Sequence, residues 1–375
     1  MSASASELKH TLRKADFPAC AREALDRIEQ LCIASDTGRN AKNMEIATDI
    51  MTEFVFCETD RRGSRRRKLS CIQELQLLEA LSDYFKPSFS GGLSSDATRH
   101  AVFASLFPHG NADRLHVLVK LVSMAISTKN IPVLSATGMW MQQLGCTSKG
   151  SLDLAEGVVK DYFDLVPKAA SVLQDLPRLA PQFTANFLTA VAEMYSVKDK
   201  KQVFAPPPEI LMEVVHQWID QNPTLCLAAL LTNVAVTVVT PFAGLFKWCI
   251  LSPLYYCNHP QSNDCRLLYS QLHLALIKSL MKCGQPIAAN GKTVMLVQQF
   301  LPTVEALARW QRDNSGDRAA EAIELALDRL AQAVQIGLFT KCLIGNKEEL
   351  LQCFDSLPKH QLLGIIMRKQ SSSEC

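Results

Sequence analysis

Glycine is scarce in this chain, with 16 residues in 375. Sheet-rich proteins use glycine freely in their turns, so the shortage favours helices. Charge of one sign is also missing: 39 basic and 37 acidic residues leave a formal net charge of +2. No overall field therefore draws the protein to nucleic acid or to acidic lipid, and any such contact must come from a local patch. Met1–Ser6 is small and polar, without the apolar core of a secretory leader. Thirteen cysteines are present, an odd number scattered through apolar segments rather than spaced as a framework. Cys71, Cys226, Cys249 and Cys283 stand among hydrophobic neighbours. This usage fits reduced, buried thiols in the cytosol or nucleus.

Catalytic motifs are missing too. Neither a Gly-x-Ser-x-Gly elbow nor a His-Glu-x-x-His helix occurs. Asn290-Gly-Lys-Thr293 carries the end of a phosphate-binding loop, but Pro286 occupies the position of its first glycine and no strand precedes it. Cys249, Cys257, His259 and Cys265 match no metal-ligand spacing. His109, Asp113 and His116 lie close in sequence without a nucleophile nearby and read as solvated groups. No catalytic, cofactor-binding or metal site is expected, and the chain is not expected to be an enzyme.

What is present is apolar residue after apolar residue at helical spacing. Hydrophobic residues make up 48% of the chain, ample for a packed core. From about Ser70 to Met367, amphipathic segments follow one another, bounded by proline, glycine and capping residues. Asp16 and Pro18 open a helix to Ile33, and Met44–Phe56 forms a second. Ser70 and Gln73 form a capping box ahead of the row Cys71, Leu75, Leu78, Leu81 and Phe85. Asp113–Thr128 carries two apolar rows, one through Leu115, Leu118, Val122 and Ala125, the other through Val117, Leu121 and Met124. A helix buried along two lines needs neighbours on two sides, as in stacked helical hairpins.

Further helices are expected at Ile131–Leu144, Ser151–Leu165, Pro167–Asp175, Pro181–Tyr195 and Glu209–Gln221, and from Thr240 through Trp248. After a polar loop at Tyr255–Asp264 come Cys265–Lys282, Lys292–Gln311, Asp317–Phe339, Asn346–Phe354 and Pro358–Met367. In the Asp317 helix Ala319, Ile323, Ala326, Leu330, Val334 and Leu338 share a face. The uncharged stretch Gln221–Phe246 is long enough to raise the question of a membrane span. Pro223 and Pro241 bracket it, Asn233 and several threonines interrupt it, and no aromatic belt orients it, so a pair of buried helices is expected and no membrane contact.

The fold expected is all-α: an irregular HEAT-like α-solenoid of stacked helical hairpins, with no fixed-period repeat. Residues 1–6 form a flexible N-terminal tail and residues 7–195 an N-terminal helical lobe. Residues 196–208, with three prolines in a row, form a linker. A C-terminal lobe covers 209–367 and a flexible tail 368–375. Two features are candidates for recognition. Arg61, Arg62, Arg65, Arg66, Arg67 and Lys68 crowd one loop, as a nuclear-import signal, a phosphate-backbone contact or a solvated loop. Trp140, Trp218, Trp248 and Trp310 serve either as interface anchors or as core filling.

Eight segments carry a resemblance. They are Leu69–Glu79 (LSCIQELQLLE), Ser105–Asn111 (SLFPHGN), Lys120–Ile126 (KLVSMAI), Ile131–Leu134 (IPVL), Asp161–Pro167 (DYFDLVP), Thr240–Cys249 (TPFAGLFKWC), Leu267–Leu274 (LLYSQLHL) and Ile323–Gln332 (IELALDRLAQ). In this order they resemble blocks of the Integrator complex subunit 15 family over nearly the whole chain. The resemblance implies a non-catalytic scaffold subunit of a nuclear complex that acts on RNA polymerase II transcripts. That complex processes the 3′ ends of small nuclear RNAs and attenuates transcription. The partners it implies are other Integrator subunits, above all the arm formed by subunits 10, 13 and 14. From the residues alone, the competing function is a helical nucleic-acid-binding module that uses Arg61–Lys68 to contact RNA or DNA.

Overall fold

A computed structural model describes residues 5–35, 40–59, 64, 69–86, 96–164, 170–195, 204–231, 239–258 and 263–371. These residues are almost entirely helical, as expected, and fall into two compact units, Met1–Trp140 and Met141–Cys375. The lobe boundary expected at 196–208 concerns residues of which 196–203 lie outside the described set.

The first unit contains α1 (Ala5–Leu12), α2 (Ala19–Ser35), α3 (Asn40–Ile50), α4 (Cys71–Phe85), α5 (Asp96–Leu106), α6 (Ala112–Thr128) and the start of α7 (Ile131–Leu144). Helix α2 packs on α3, α4 and α5, and α4 packs on α6. The Ser70 capping box forms as expected. Ser70 Oγ accepts the Gln73 N–H at 3.3 Å, and Gln73 Oε1 accepts the Ser70 N–H at 3.1 Å. On α6, Val117, Leu118, Leu121, Val122, Ala125 and Ile126 are buried, so the two rows merge into one broad apolar face. The row on α4 is only partly buried: Leu78, Leu81 and Phe85 face the core, whereas Cys71 and Leu75 are exposed. Burial on this helix begins at Leu77, and its first turn, with Ile72, has no apolar cover.

The second unit runs through α8 (Lys149–Val159), the single turns α9 (Ala170–Leu173) and α10 (Leu176–Leu179), then α11 (Pro181–Met194) and α12 (Glu209–Gln221). It continues through α13 (Phe242–Asn258), α14 (Asn263–Ser279), α15 (Gln285–Ala289), α16 (Leu301–Asp313), α17 (Asp317–Phe339), α18 (Lys347–Phe354) and α19 (Gln361–Ser371). Helix α13 lies at the centre, packed on α11, α14, α16 and α17. Leu245, Phe246, Trp248, Cys249, Ile250 and Leu251 of α13 are fully buried, which requires neighbours all round it.

Three sequence expectations need correction here. Lys292–Gln311 is not one helix. Gly291 takes a left-handed turn at φ +75°, and Met295–Leu296 (β1) pairs in parallel with Leu343–Ile344 (β2) before α16 begins at Leu301. Pro302 stands in the first turn of α16, where its missing N–H costs nothing. Tyr255 is not the start of a polar loop, because α13 continues to Asn258. Phe204 meets Tyr255 at 6.2 Å and Tyr269 at 5.8 Å, edge to face, and closes the end of this helix. Finally, Leu225–Leu231 is a 3₁₀ helix rather than an α-helix, buried from Leu225 to Leu230, with residues 232–238 outside the described set. Among the described residues no helix is long and apolar enough to cross a membrane.

Helices α11 and α13 meet at Gly244, where an added Cβ would lie 2.7 Å from the Ala192 methyl. Gly244→Ala gains about 1 kcal/mol of helix propensity but loses about 1–3 kcal/mol to overpacking. The variant is expected to be less stable than the parent by about 1 kcal/mol in urea unfolding, and a stabilised protein would contradict this contact.

Candidate interaction surfaces and buried polar clamps

Among the described residues each unit holds one buried arginine. On α6, Arg114 is 4% exposed and donates from Nε and Nη2 to the two oxygens of Glu58, both at 2.8 Å. Nη1 donates to the Leu106 carbonyl and Nη2 to Thr52 Oγ1, each at 3.2 Å. The guanidinium also lies over the Phe56 ring, 4.4 Å from its centroid. One side chain thus ties α6 to the end of α5 and to the π-helical turn Met51–Val55 that continues α3.

On α17, Arg329 is 5% exposed and donates to the Cys249 carbonyl and to Ser252 Oγ of α13, and to Ser270 Oγ of α14. These acceptors are neutral oxygens. A buried cation is tolerated here because its donors find acceptors on two neighbouring helices at once. Beside it, Nε2 of His273 lies 3.1 Å from Gln332 Oε1, and the ring stands edge-on to Phe246. Nδ1 of His273 has no hydrogen-bond partner among the described residues. Burial, and secondarily the Arg329 charge, pushes the imidazole down to about 4. It is therefore neutral at physiological pH, with the Nε2–H donated to Gln332.

Sequence reading passed over both arginines, since a charged residue in an amphipathic helix is ordinarily a surface residue. A signal was there. Arg114 falls in the row Arg114, Leu118, Leu121, Ala125, and Arg329 in the row Ala322, Ala326, Arg329, Ala333. Every other member of these two rows is buried.

The candidate residues divide sharply. Arg61, Arg62, Arg65, Arg66, Arg67 and Lys68 lie outside the described residues. Trp140, Trp218, Trp248 and Trp310 are all buried within the chain's own cores and are not surface anchors. Three of them use the indole N–H to satisfy a backbone carbonyl: Trp140 that of Phe107 at 2.8 Å, Trp218 that of Leu173 at 2.9 Å, Trp248 that of Ala192 at 3.2 Å. Lys292 is exposed after the Gly291 turn and leads into extended backbone, so no helix N-terminus faces a phosphate there. His109 and His116 are exposed, the latter 3.8 Å from Glu74.

Among the described residues no group of three His, Cys, Asp or Glu side chains could hold a metal ion, and every cysteine is a free thiol. Burial pushes the Cys146 and Cys249 thiols up to about 12 and raises that of Cys226 as well, so they are protonated and unreactive. Cys71, expected to be buried, is exposed at the start of α4. A cleft of about 410 Å³ opens between α13, α14 and α17, lined by Ser252, Tyr256, Arg266, Arg318, Glu321 and Leu325 among others. Arg266 is already engaged there with the Tyr256 carbonyl at 2.6 Å. In each unit a buried arginine holds neighbouring helices together.

Two outcomes follow for the second unit. Arg329→Ala removes donors from three oxygens and leaves a void, and is expected to lower unfolding free energy by about 3 kcal/mol. Arg329→Lys should recover only part of this, because one ammonium cannot span both helices. A fully stable alanine variant in chemical denaturation would contradict the clamp. For His273, the unfolded chain takes up a proton near pH 6.5 while the folded chain resists until about 4. Its contribution is complete above pH 6.5 and is lost as pH falls towards 4, with a slope of at most about 1.4 kcal/mol per pH unit. Unfolding in urea at pH 7, 6 and 5 should show this slope reduced in His273→Gln, and an unchanged slope would contradict the assignment.

The profile of the family described as Integrator complex subunit 15 matches residues 6–359 of the chain. Integrator complex subunit 15 of Drosophila melanogaster is 37% identical over 391 residues, spanning 98% of this chain and 99% of the relative. The protein of the same description from Mus musculus is 31% identical and that from Homo sapiens 30%, each spanning 96% of this chain and 86% of the relative. The likeness therefore covers both compact units and both buried clamps, and the chain belongs to the Integrator complex subunit 15 family.

Proposed function

We propose that this chain is a non-catalytic scaffold subunit of the Integrator complex, working in the nucleus by protein–protein docking. In that role it supports small nuclear RNA 3′-end processing and attenuation of RNA polymerase II transcription. The observation that carries the reading is the family match over residues 6–359. Two features of the fold support it. The buried arginines and the buried histidine act on the chain's own helices, and the exposed side chains include large apolar groups such as Ile72 and Phe339. The helices are read as an irregular HEAT-like stack whose surfaces bind other Integrator subunits, above all subunits 10, 13 and 14. The alternative is a nucleic-acid-binding module built on Arg61–Lys68, and its specific support is the basic run itself.

Affinity purification of the tagged full-length chain from nuclear extract tests the reading. Co-recovery of Integrator subunits, with 10, 13 and 14 retained at high salt, is the expected result. Recovery of the chain without any Integrator subunit would overturn it.

A further inference from the structure

The outermost line of α14 is apolar. This helix packs on α12, α13 and α17 through Tyr269, Leu272, His273, Ala275 and Leu276, all buried. Its opposite face should then carry polar residues. Instead Leu267, Leu274 and Met281 stand there at 58%, 51% and 56% exposure. Met281 lies in the π-helical turn Leu280–Gly284 that carries α14 without a break into α15.

The spacing of the three is regular. They recur every seven residues, so on a helix of about 100° per residue they fall within roughly 40° of one another. They span about 21 Å along the axis, at about 1.5 Å per residue. A seven-residue apolar line is the seam by which one helix packs along another. Single exposed leucines are common on protein surfaces, but three in register along the centre of an outward face are not explained by chance exposure.

On α14 itself the charge beside this seam has one sign. Lys278 and Lys282 are exposed there, Arg266 is turned into the cleft towards the Tyr256 carbonyl, and no acidic residue occurs between Cys265 and Gly284. A second copy of the chain laid on this seam would bring like charges together. Nucleic acid would leave the apolar line unsatisfied, since no aromatic side chain is exposed here to stack on bases. An acidic amphipathic helix satisfies both features, with its apolar residues over Leu267, Leu274 and Met281 and its carboxylates beside Lys278 and Lys282.

We propose that α14 is a docking seam for an acidic amphipathic helix of another Integrator subunit. This rests on the scaffold reading above and adds to it a defined face and a partner chemistry. The Arg329 clamp presents the seam, because Ser270, which it binds, lies on α14 between Leu267 and Leu274.

The test uses the tagged full-length chain in cells. A triple variant, Leu267→Gln, Leu274→Gln and Met281→Gln, keeps helix propensity and removes the seam. Because all three side chains are exposed, its melting temperature alone should stay within about 2 °C of the parent. Its recovery of at least one Integrator subunit should fall about tenfold or more. Recovery equal to the parent overturns the seam alone and leaves the scaffold reading intact, whereas a parent that recovers no Integrator subunit overturns both. As a second readout, Leu274→benzoylphenylalanine is photo-crosslinked in the assembled complex. A crosslink to an acidic amphipathic helical segment of another Integrator subunit supports the seam. A crosslink to a second copy, to RNA or to no polypeptide overturns it.

Discussion

A single guanidinium organises the second unit. Arg329 reaches from α17 to two groups on α13 and one on α14, and a cation at such depth is stable only while those acceptors stay in place. The desolvation of a charge costs several kcal/mol in an apolar interior, so the three helices are held in the one arrangement that compensates it. His273 is a consequence of that arrangement. Packed beside the cation and against Phe246, it must stay neutral, and it uses Nε2 to bind Gln332 back on α17. The same geometry sets which side of α14 faces outward. The inner chemistry therefore decides what the outer surface presents.

The first unit repeats the device with different means. Arg114 has a carboxylate partner in Glu58 and an aromatic face in Phe56, so its charge is matched rather than only solvated. Both clamps join segments far apart in sequence: Arg114 reaches Glu58 and Thr52 across the α4 region, and Arg329 reaches Cys249 across α14 to α16. In a chain built mostly of local helical contacts, such long-range ties give specificity that apolar packing alone does not supply.

Much of the fold was legible because helix boundaries are written in local chemistry. Ile131–Leu144, Glu209–Gln221 and Asp317–Phe339 coincide with the expected bounds, and the Ser70 capping box forms as expected. The misreadings have physical causes. Val294–Val297 is apolar enough to pass for a helix turn, but its backbone pairs with Leu343–Ile344, a partner nearly fifty residues away that periodicity cannot see. The tryptophans were ambiguous because burial depends on what packs against a helix, and all four indoles are buried. The α14 seam was hidden for the opposite reason. Apolar residues on both faces of a helix read simply as hydrophobic, and only the packing of α12, α13 and α17 shows which face was left uncovered.

The central claim is that an outward apolar line on a rigidly clamped helix is a missing interface. A structure of the Integrator complex assembled on this full-length chain tests it most directly. The account predicts a helix from another subunit lying along α14, its apolar residues over Leu267, Leu274 and Met281 and its carboxylates facing Lys278 and Lys282. An α14 whose outer face stands in solvent throughout the assembled complex would contradict it.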